Sequence, residues 1–142
     1  MSYAKVGFLW LMVVAATSHA ACSLNVTGVN FGSYDVFDTT PIDSTGMIDV
    51  SCLPRAAIAI SFSTGIGTYA NRRMAYGSYR LNYNIYRNSA RNRILGDGSA
   101  GTVMLSANNI RNRSFVIYGR LFAKQNVSAG LYADTLVVTV TF

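Results

Sequence analysis

The chain has 142 residues, 51% of them hydrophobic and 13% charged, with a formal charge of +6 at pH 7. It carries one histidine, one tryptophan and two cysteines, which excludes histidine-rich metal centres and cysteine-dense scaffolds. The length suits one domain with one core.

Residues 1–20 read as a secretory signal. Lys5 supplies the positive start, Val6 to Ala16 an apolar core too short for a membrane span, and Ser18-His19-Ala20 small residues at the cleavage site. The expected cut falls between Ala20 and Ala21, ahead of a mature domain covering residues 21–142. A retained anchor and a lipoprotein processed at Cys22 are the alternatives; the latter lacks a leucine-led box. Cleavage removes His19 and Trp10 and leaves ten arginines, Lys124 and six aspartates, so the mature charge is 11 − 6 = +5. No membrane span remains. With no mature histidine, Ser-His-Asp and Cys-His catalysis and imidazole metal sites are excluded. We expect no enzyme, no catalytic residue, no metal and no cofactor.

Cys22 and Cys52 are the only cysteines of an exported chain, so a disulfide between them is the default. Closing that loop stabilises by roughly 3–4 kcal/mol in the chain-entropy account. Two free thiols or a metal pair would lack a histidine to complete them.

In chain order, no segment holds a 3.6-residue period, and β-branched and aromatic residues come in short runs between turn signals. Ser23 to Thr27 is a short opening strand. Val29, Phe31, Val36 and Phe37 then dip toward the core from a segment broken by Gly28, Gly32 and Ser33. Pro41 to Gly46 is turn chemistry. Ile48, Val50 and Cys52 share one face of a strand, Leu53-Pro54-Arg55 turns the chain, and Ile58, Ile60 and Phe62 line the next strand. Thr64 to Tyr79 is a long glycine- and tyrosine-rich connection. Leu81, Tyr83 and Ile85 mark a clear strand, Arg87 to Gly101 a polar loop, Thr102 to Ser106 a short strand and Ala107 to Arg113 a loop. Phe115, Ile117, Gly119 and Leu121 alternate inward, and Lys124 to Gly130 leads into the last strand. There Leu136, Val138, Val140 and Phe142 alternate with Val137, Thr139 and Thr141. The expected class is all-β, a sandwich of short strands. A long apolar strand with a bare edge is something a soluble protein hides, so we expect another strand to cover this one.

Other motifs have ordinary readings. Gly65-Ile66-Gly67-Thr68-Tyr69-Ala70 matches a phosphate-loop pattern by chance, since no βαβ unit surrounds it. Asp35, Asp38 and Asp43 read as solvated turn residues. The pairs Arg72/Arg73, Arg91/Arg93 and Arg111/Arg113 read as solubilising loop charges ahead of an anionic-glycan surface or a single-stranded nucleic-acid platform. We expect no nucleic-acid partner. Three Asn-X-Ser/Thr sequons, at Asn25, Asn112 and Asn126, would matter only in a eukaryotic secretory route.

Several runs together carry a resemblance. They are Cys22, Asn30-Phe31-Gly32-Ser33-Tyr34-Asp35, Gly46 with Val50-Ser51-Cys52, Asn71-Arg72-Arg73-Met74 and Leu81-Asn82-Tyr83-Asn84-Ile85-Tyr86. They continue through Gly96-Asp97-Gly98, Tyr118-Gly119-Arg120, Gln125-Asn126-Val127, Gly130 to Thr135 and the Val-Thr-Val-Thr-aromatic end. In this order the chain resembles the spore coat protein U domain, shared with subunits of archaic (Csu-type) chaperone–usher pili. The resemblance implies an incomplete immunoglobulin-like β-sandwich of pilin type, its final strand missing and supplied in trans. It implies a periplasmic chaperone, an outer-membrane usher and other pilus subunits as partners, and export through the periplasm to a pilus or coat at the cell surface. Leu136, Val138, Val140 and Phe142 would then pack beside the donor strand, with the Phe142 carboxylate anchored in the chaperone. Only Ala21 precedes Cys22 after cleavage, too little for a donor segment, so a strand-accepting, tip-most or non-donating subunit is expected. The reading from another class is a self-sufficient secreted module that binds a surface glycan through its tyrosine- and arginine-rich loops.

Overall fold

The computed structural model describes residues 2–4 and 20–142, so the remainder of the expected signal segment lies outside the described residues. Among the described residues seven strands follow one another: β1 (Ser2–Ala4), β2 (Ala21–Thr27), β3 (Ile42–Phe62), β4 (Arg72–Tyr76), β5 (Tyr79–Tyr86), β6 (Leu105–Leu121) and β7 (Leu136–Thr141). The fold is all-β, with no helix among the described residues.

Two strands are far longer than the sequence reading allowed. β3 runs for 21 residues and β6 for 17. The Pro41–Gly46 turn, the Leu53-Pro54-Arg55 turn and the Ala107–Arg113 loop are therefore largely strand. Residues 42–51 of β3 pair with residues 112–121 of β6, and residues 56–60 with residues 105–110. Register shifts fall between Ser51 and Ile58, around Pro54, which has no N–H to give to a ladder. On β6 the irregularity is matched by Asn109 in the left-handed region, φ 51°. Local turn signals thus mark the place where both strands bend and pass from one layer to the other. The polar run Ser106–Ser114 carries no apolar stripe because, apart from Ile110 and half-buried Ala107, its side chains are exposed there.

The inward face of β3 stays in phase across the bend. Ile48, Val50 and Cys52 are buried before it, and Ile58, Ile60 and Phe62 after it. The sheet order β1-β7-β3-β6-β5-β4, with β2 also on β3, lets one continuous sheet curl until its two halves face each other. Their inner side chains make a single core that includes Leu81, Tyr83, Ile85, Ile117, Leu121 and Val138. Burying each such aliphatic side chain stabilises by about 1.5–3 kcal/mol before conformational entropy is charged.

The long connection before β5 contains a further strand that sequence periodicity missed. β4 and β5 form a hairpin closed at Tyr76 and Tyr79 across Gly77-Ser78, where Gly77 takes φ 56°. Its outer edge meets the approach to β7, with Ala75 and Ala133 exchanging both backbone bonds at 2.9 and 3.2 Å. That contact draws the last strand toward the opposite edge of the curled sheet. The expected Thr102–Ser106 strand is reduced to a bridge at Val103 before β6 begins at Leu105. Cys22 and Cys52 sit directly opposite on β2 and β3 and are joined as a disulfide.

Candidate functional site

β7 is paired on one side only by core structure. Phe62 to Ala59 of β3 meet Val138 to Thr141 in antiparallel register. Its other edge carries β1, running parallel, with Ser2 opposite Leu136 and Ala4 opposite Val138. This edge is therefore competent for main-chain pairing with an added strand.

Alternation along β7 separates the two faces. Val138 is buried, Leu136 and Val140 are half-buried, and Phe142 is half exposed, while Val137, Thr139 and Thr141 point out to solvent. Leu136 and Val138 form one wall of a narrow apolar trough of about 80 Å³. Gly28, Val29, Phe31, Phe62, Tyr83 and Ile117 also line it. A wider crevice of about 780 Å³ shares Val29, Phe31 and Met74 with it and continues between residues 29–36 and 127–132. The two together follow the path of the chain into β7.

The Val29–Phe31 wall is held by a close approach that only glycine permits. A Cβ at Gly119 would lie 2.7 Å from Val29 and 2.9 Å from Phe31. Phe31 also meets Tyr83 edge-on, with centroids 6.1 Å apart.

One charged group lines this trough. Asp134, two residues before Leu136 on the same face, accepts from the Tyr83 hydroxyl at 2.5 Å and from the Ile66 N–H at 3.2 Å. Burial first, and the Asp134 hydrogen bond second, push the Tyr83 phenol well above its ordinary pKa. Opposite Tyr83 in the β4–β5 ladder, Arg72 is fully buried. Its Nε and Nη2 donate to Ser63 O at 3.1 and 2.8 Å, Nη2 also reaches Leu95 O at 2.7 Å, and Nη1 donates to Asn84 Oδ1 at 2.9 Å. Tyr69 lies under its guanidinium at 5.3 Å. Burial lowers the Arg72 pKa, an effect opposed by the tyrosine and Asp134 charges nearby.

The arginine pairs therefore depart from the solubilising reading. Arg73 and Arg93 are exposed, but Arg72 is interior and Arg91 donates to Gly119 O at 3.1 Å over the Tyr118 ring. Arg111 and Arg113 are exposed, the latter over Phe115. Asp35 is a turn residue as expected, accepting from the Phe37 N–H at 2.9 Å. Asp43 is not: it lies on β3 and holds the Arg120 fork at 2.8 and 3.0 Å. The Gly65–Ala70 pattern leads into strand β4 rather than a helix, so no phosphate cradle follows it.

Sequence reading overlooked Asp134, Tyr83 and Phe31 as members of this site. Extending the β7 alternation back from Leu136 reaches Asp134, so its face was readable. The companions come from β5 and from the segment after β2, and only folding brings them there.

A curled all-β domain of this kind, with an apolar trough beside an edge-competent last strand, is an immunoglobulin-like sandwich of pilin type. The chain belongs to the Spore Coat Protein U domain family, which matches residues 9–139. Its fold is similar to that of a chain in the CsuC–CsuE chaperone–tip adhesin pre-assembly complex from archaic chaperone–usher Csu pili of Acinetobacter baumannii. The TM-score is 0.64 at 24% identity, covering 89% of this chain and 40% of that chain. The present chain thus spans less than half of that neighbour. No curated protein matches it.

Proposed function

We propose that this protein is an exported, non-enzymatic subunit of a chaperone–usher pilus or surface coat, and that it accepts a donor β-strand along β7. The observation that carries this reading is the outer edge of β7, which pairs with the backbone of Ser2–Ala4 above an apolar trough. Family membership supports it, as does the likeness in fold to a chain from a chaperone–subunit complex. In the cell the added strand would come first from a periplasmic chaperone and then from a neighbouring subunit delivered through an outer-membrane usher. Leu136, Val138, Val140 and Phe142 are the residues it would pack beside.

Residues 1–20 would serve as the signal that takes the chain to the periplasm. All of Ala21–Thr27 is engaged in the ladder with β3. With cleavage after Ala20, a donating segment would have no residues left to form it, and the subunit would sit at the tip or terminate assembly. N-terminal sequencing and electron microscopy of the purified protein test this point. Fibres bridged through its own N-terminus would overturn it.

The experiment for the main reading compares the wild-type chain with one carrying a donor strand on a flexible linker. A large gain in melting temperature is expected from the fusion, as is periplasmic accumulation of the unfused chain only beside its chaperone. An unfused chain that is monomeric, melts cooperatively and matches the fusion in stability would be a complete sandwich. The secreted glycan-binding module would then be the better account.

A further inference from the structure

We infer that the trough selects its strand by charge at one position, the Asp134 carboxylate recognising a lysine or arginine on the incoming segment. This rests on the strand-accepting reading and adds the chemistry of what is accepted. Asp134, two residues ahead of β7, lines the trough together with Leu136 and Val138 of that strand. The Asp134 carboxylate has two neutral donors, the Tyr83 hydroxyl and the Ile66 N–H, one to each oxygen. Among the described residues, both salt bridges are made by Asp43, and Asp134 makes none. A carboxylate offers about four acceptor sites, so about two remain unfilled.

A strand laid over this edge would shield Asp134 from water. An apolar residue opposite it would leave a shielded charge without its solvent, and a carboxylate there would add like-charge repulsion. An ammonium or guanidinium would instead make a charge-assisted hydrogen bond, among the stronger polar contacts available. The register observed for Ser2–Ala4 places its residues opposite Leu136 and Val138. A strand running in the same direction and continued two residues past the start of β7 would reach Asp134. The occupant is thus an extended segment with a cationic residue at position i and apolar residues at i+2 and i+4.

The test uses the purified, exported full chain and three synthetic strand peptides. They differ only at position i, which is Lys, Leu or Glu, with valine or isoleucine at i+2 and i+4. Binding is read by fluorescence anisotropy. The Lys peptide should bind about tenfold more tightly than the Leu peptide, with Glu weakest, as expected of one charge-assisted bond. Asp134→Asn should bring the three together. Tyr83→Phe, which keeps the carboxylate and frees one of its oxygens, should preserve or widen the preference even if Asp134→Asn fails to fold. Equal binding of the three peptides to the wild-type chain would overturn the inference while leaving strand acceptance standing. Binding of none would remove both. A preference that persists in Asp134→Asn would also overturn it.

Discussion

Arg72 donates from Nη1 to Oδ1 of Asn84 at 2.9 Å, joining β4 to β5 in the interior. Asn84 passes the connection on, its amide donating to Tyr69 O at 2.8 Å and Ala70 O at 3.3 Å. A buried charge is tolerated here because its planar fork finds carbonyl and amide oxygens on three separate segments. Arg72→Met should destabilise by about 3 kcal/mol or more, through carbonyls left without a donor. Arg72→Lys should recover only part of that, because an ammonium cannot reproduce the fork. Arg73→Lys, at the exposed neighbour, should change stability by less than about 0.5 kcal/mol. Urea denaturation of the three variants checks the order.

Tyr83 should make the protein sensitive to alkali. Its folded-state pKa is raised by burial and by its bond to Asp134, whereas in the unfolded chain it titrates near its ordinary value. The stabilisation is fully present below about pH 10 and is lost as the unfolded phenol ionises above it. Wild-type stability should therefore fall between about pH 10 and 12 more steeply than that of Tyr83→Phe. Parallel slopes would show that Tyr83 is not the linked group.

At the acidic end one linked group is Asp43. Its hydrogen bond with Arg120, ahead of the Arg120 and Arg91 charges, holds its carboxyl below the usual range. That contribution is present above the unfolded carboxylate pKa, about 4, and disappears as pH falls through the lower folded value. Because the Asp43 side chain is 38% exposed, water screens the pair, and Asp43→Asn should cost only about 0.5–1 kcal/mol at neutral pH. In thermal melts, mutant and wild type should differ at pH 7 and converge at acid pH.

Cys52→Ser removes the cross-link to Cys22 and places a hydroxyl at a position that is 2% exposed. A loss of about 3 kcal/mol or more in stability and a sharp fall in periplasmic yield are expected. Mass spectrometry of the wild-type protein should find no free thiol; two free thiols would sink this account of its stability.

On β7 the contrast is between adjacent residues. Val138 is 2% exposed and lines the trough, while Val137 is 44% exposed. Val138→Asp should cost several kcal/mol by stranding a carboxylate among apolar side chains, and accumulation in the periplasm should be lost. Val137→Asp should accumulate almost normally, which immunoblotting of periplasmic extracts would show.

Much of the sheet was readable because a half-buried strand writes its own period. The inward sets Ile48-Val50-Cys52, Ile58-Ile60-Phe62 and Leu81-Tyr83-Ile85 are all buried in the core. What misled was local chemistry inside long strands. Pro54 and the polar residues near Asn109 look like chain reversals, but the ladder residues that flank them have partners far away in sequence. β4 was hidden for the reverse reason, since its run Arg72–Tyr76 begins with two arginines and no sequence rule puts one of them in the core.

By itself the sequence determined that the chain is all-β, that its two cysteines pair, and that Leu136, Val138 and Val140 share a face of the last strand. Each follows from period-two alternation or from residue count, which are local properties. Only the tertiary structure decided that Arg72 is interior, that Phe31 closes over Gly119, and that Asp134 meets Tyr83 in the lining of a trough. Pairs such as Tyr83–Asp134 and Phe31–Gly119 lie 134 − 83 = 51 and 119 − 31 = 88 positions apart in the chain. The curl of β3 and β6 brings them together, and no local pattern in the chain encodes where that curl closes.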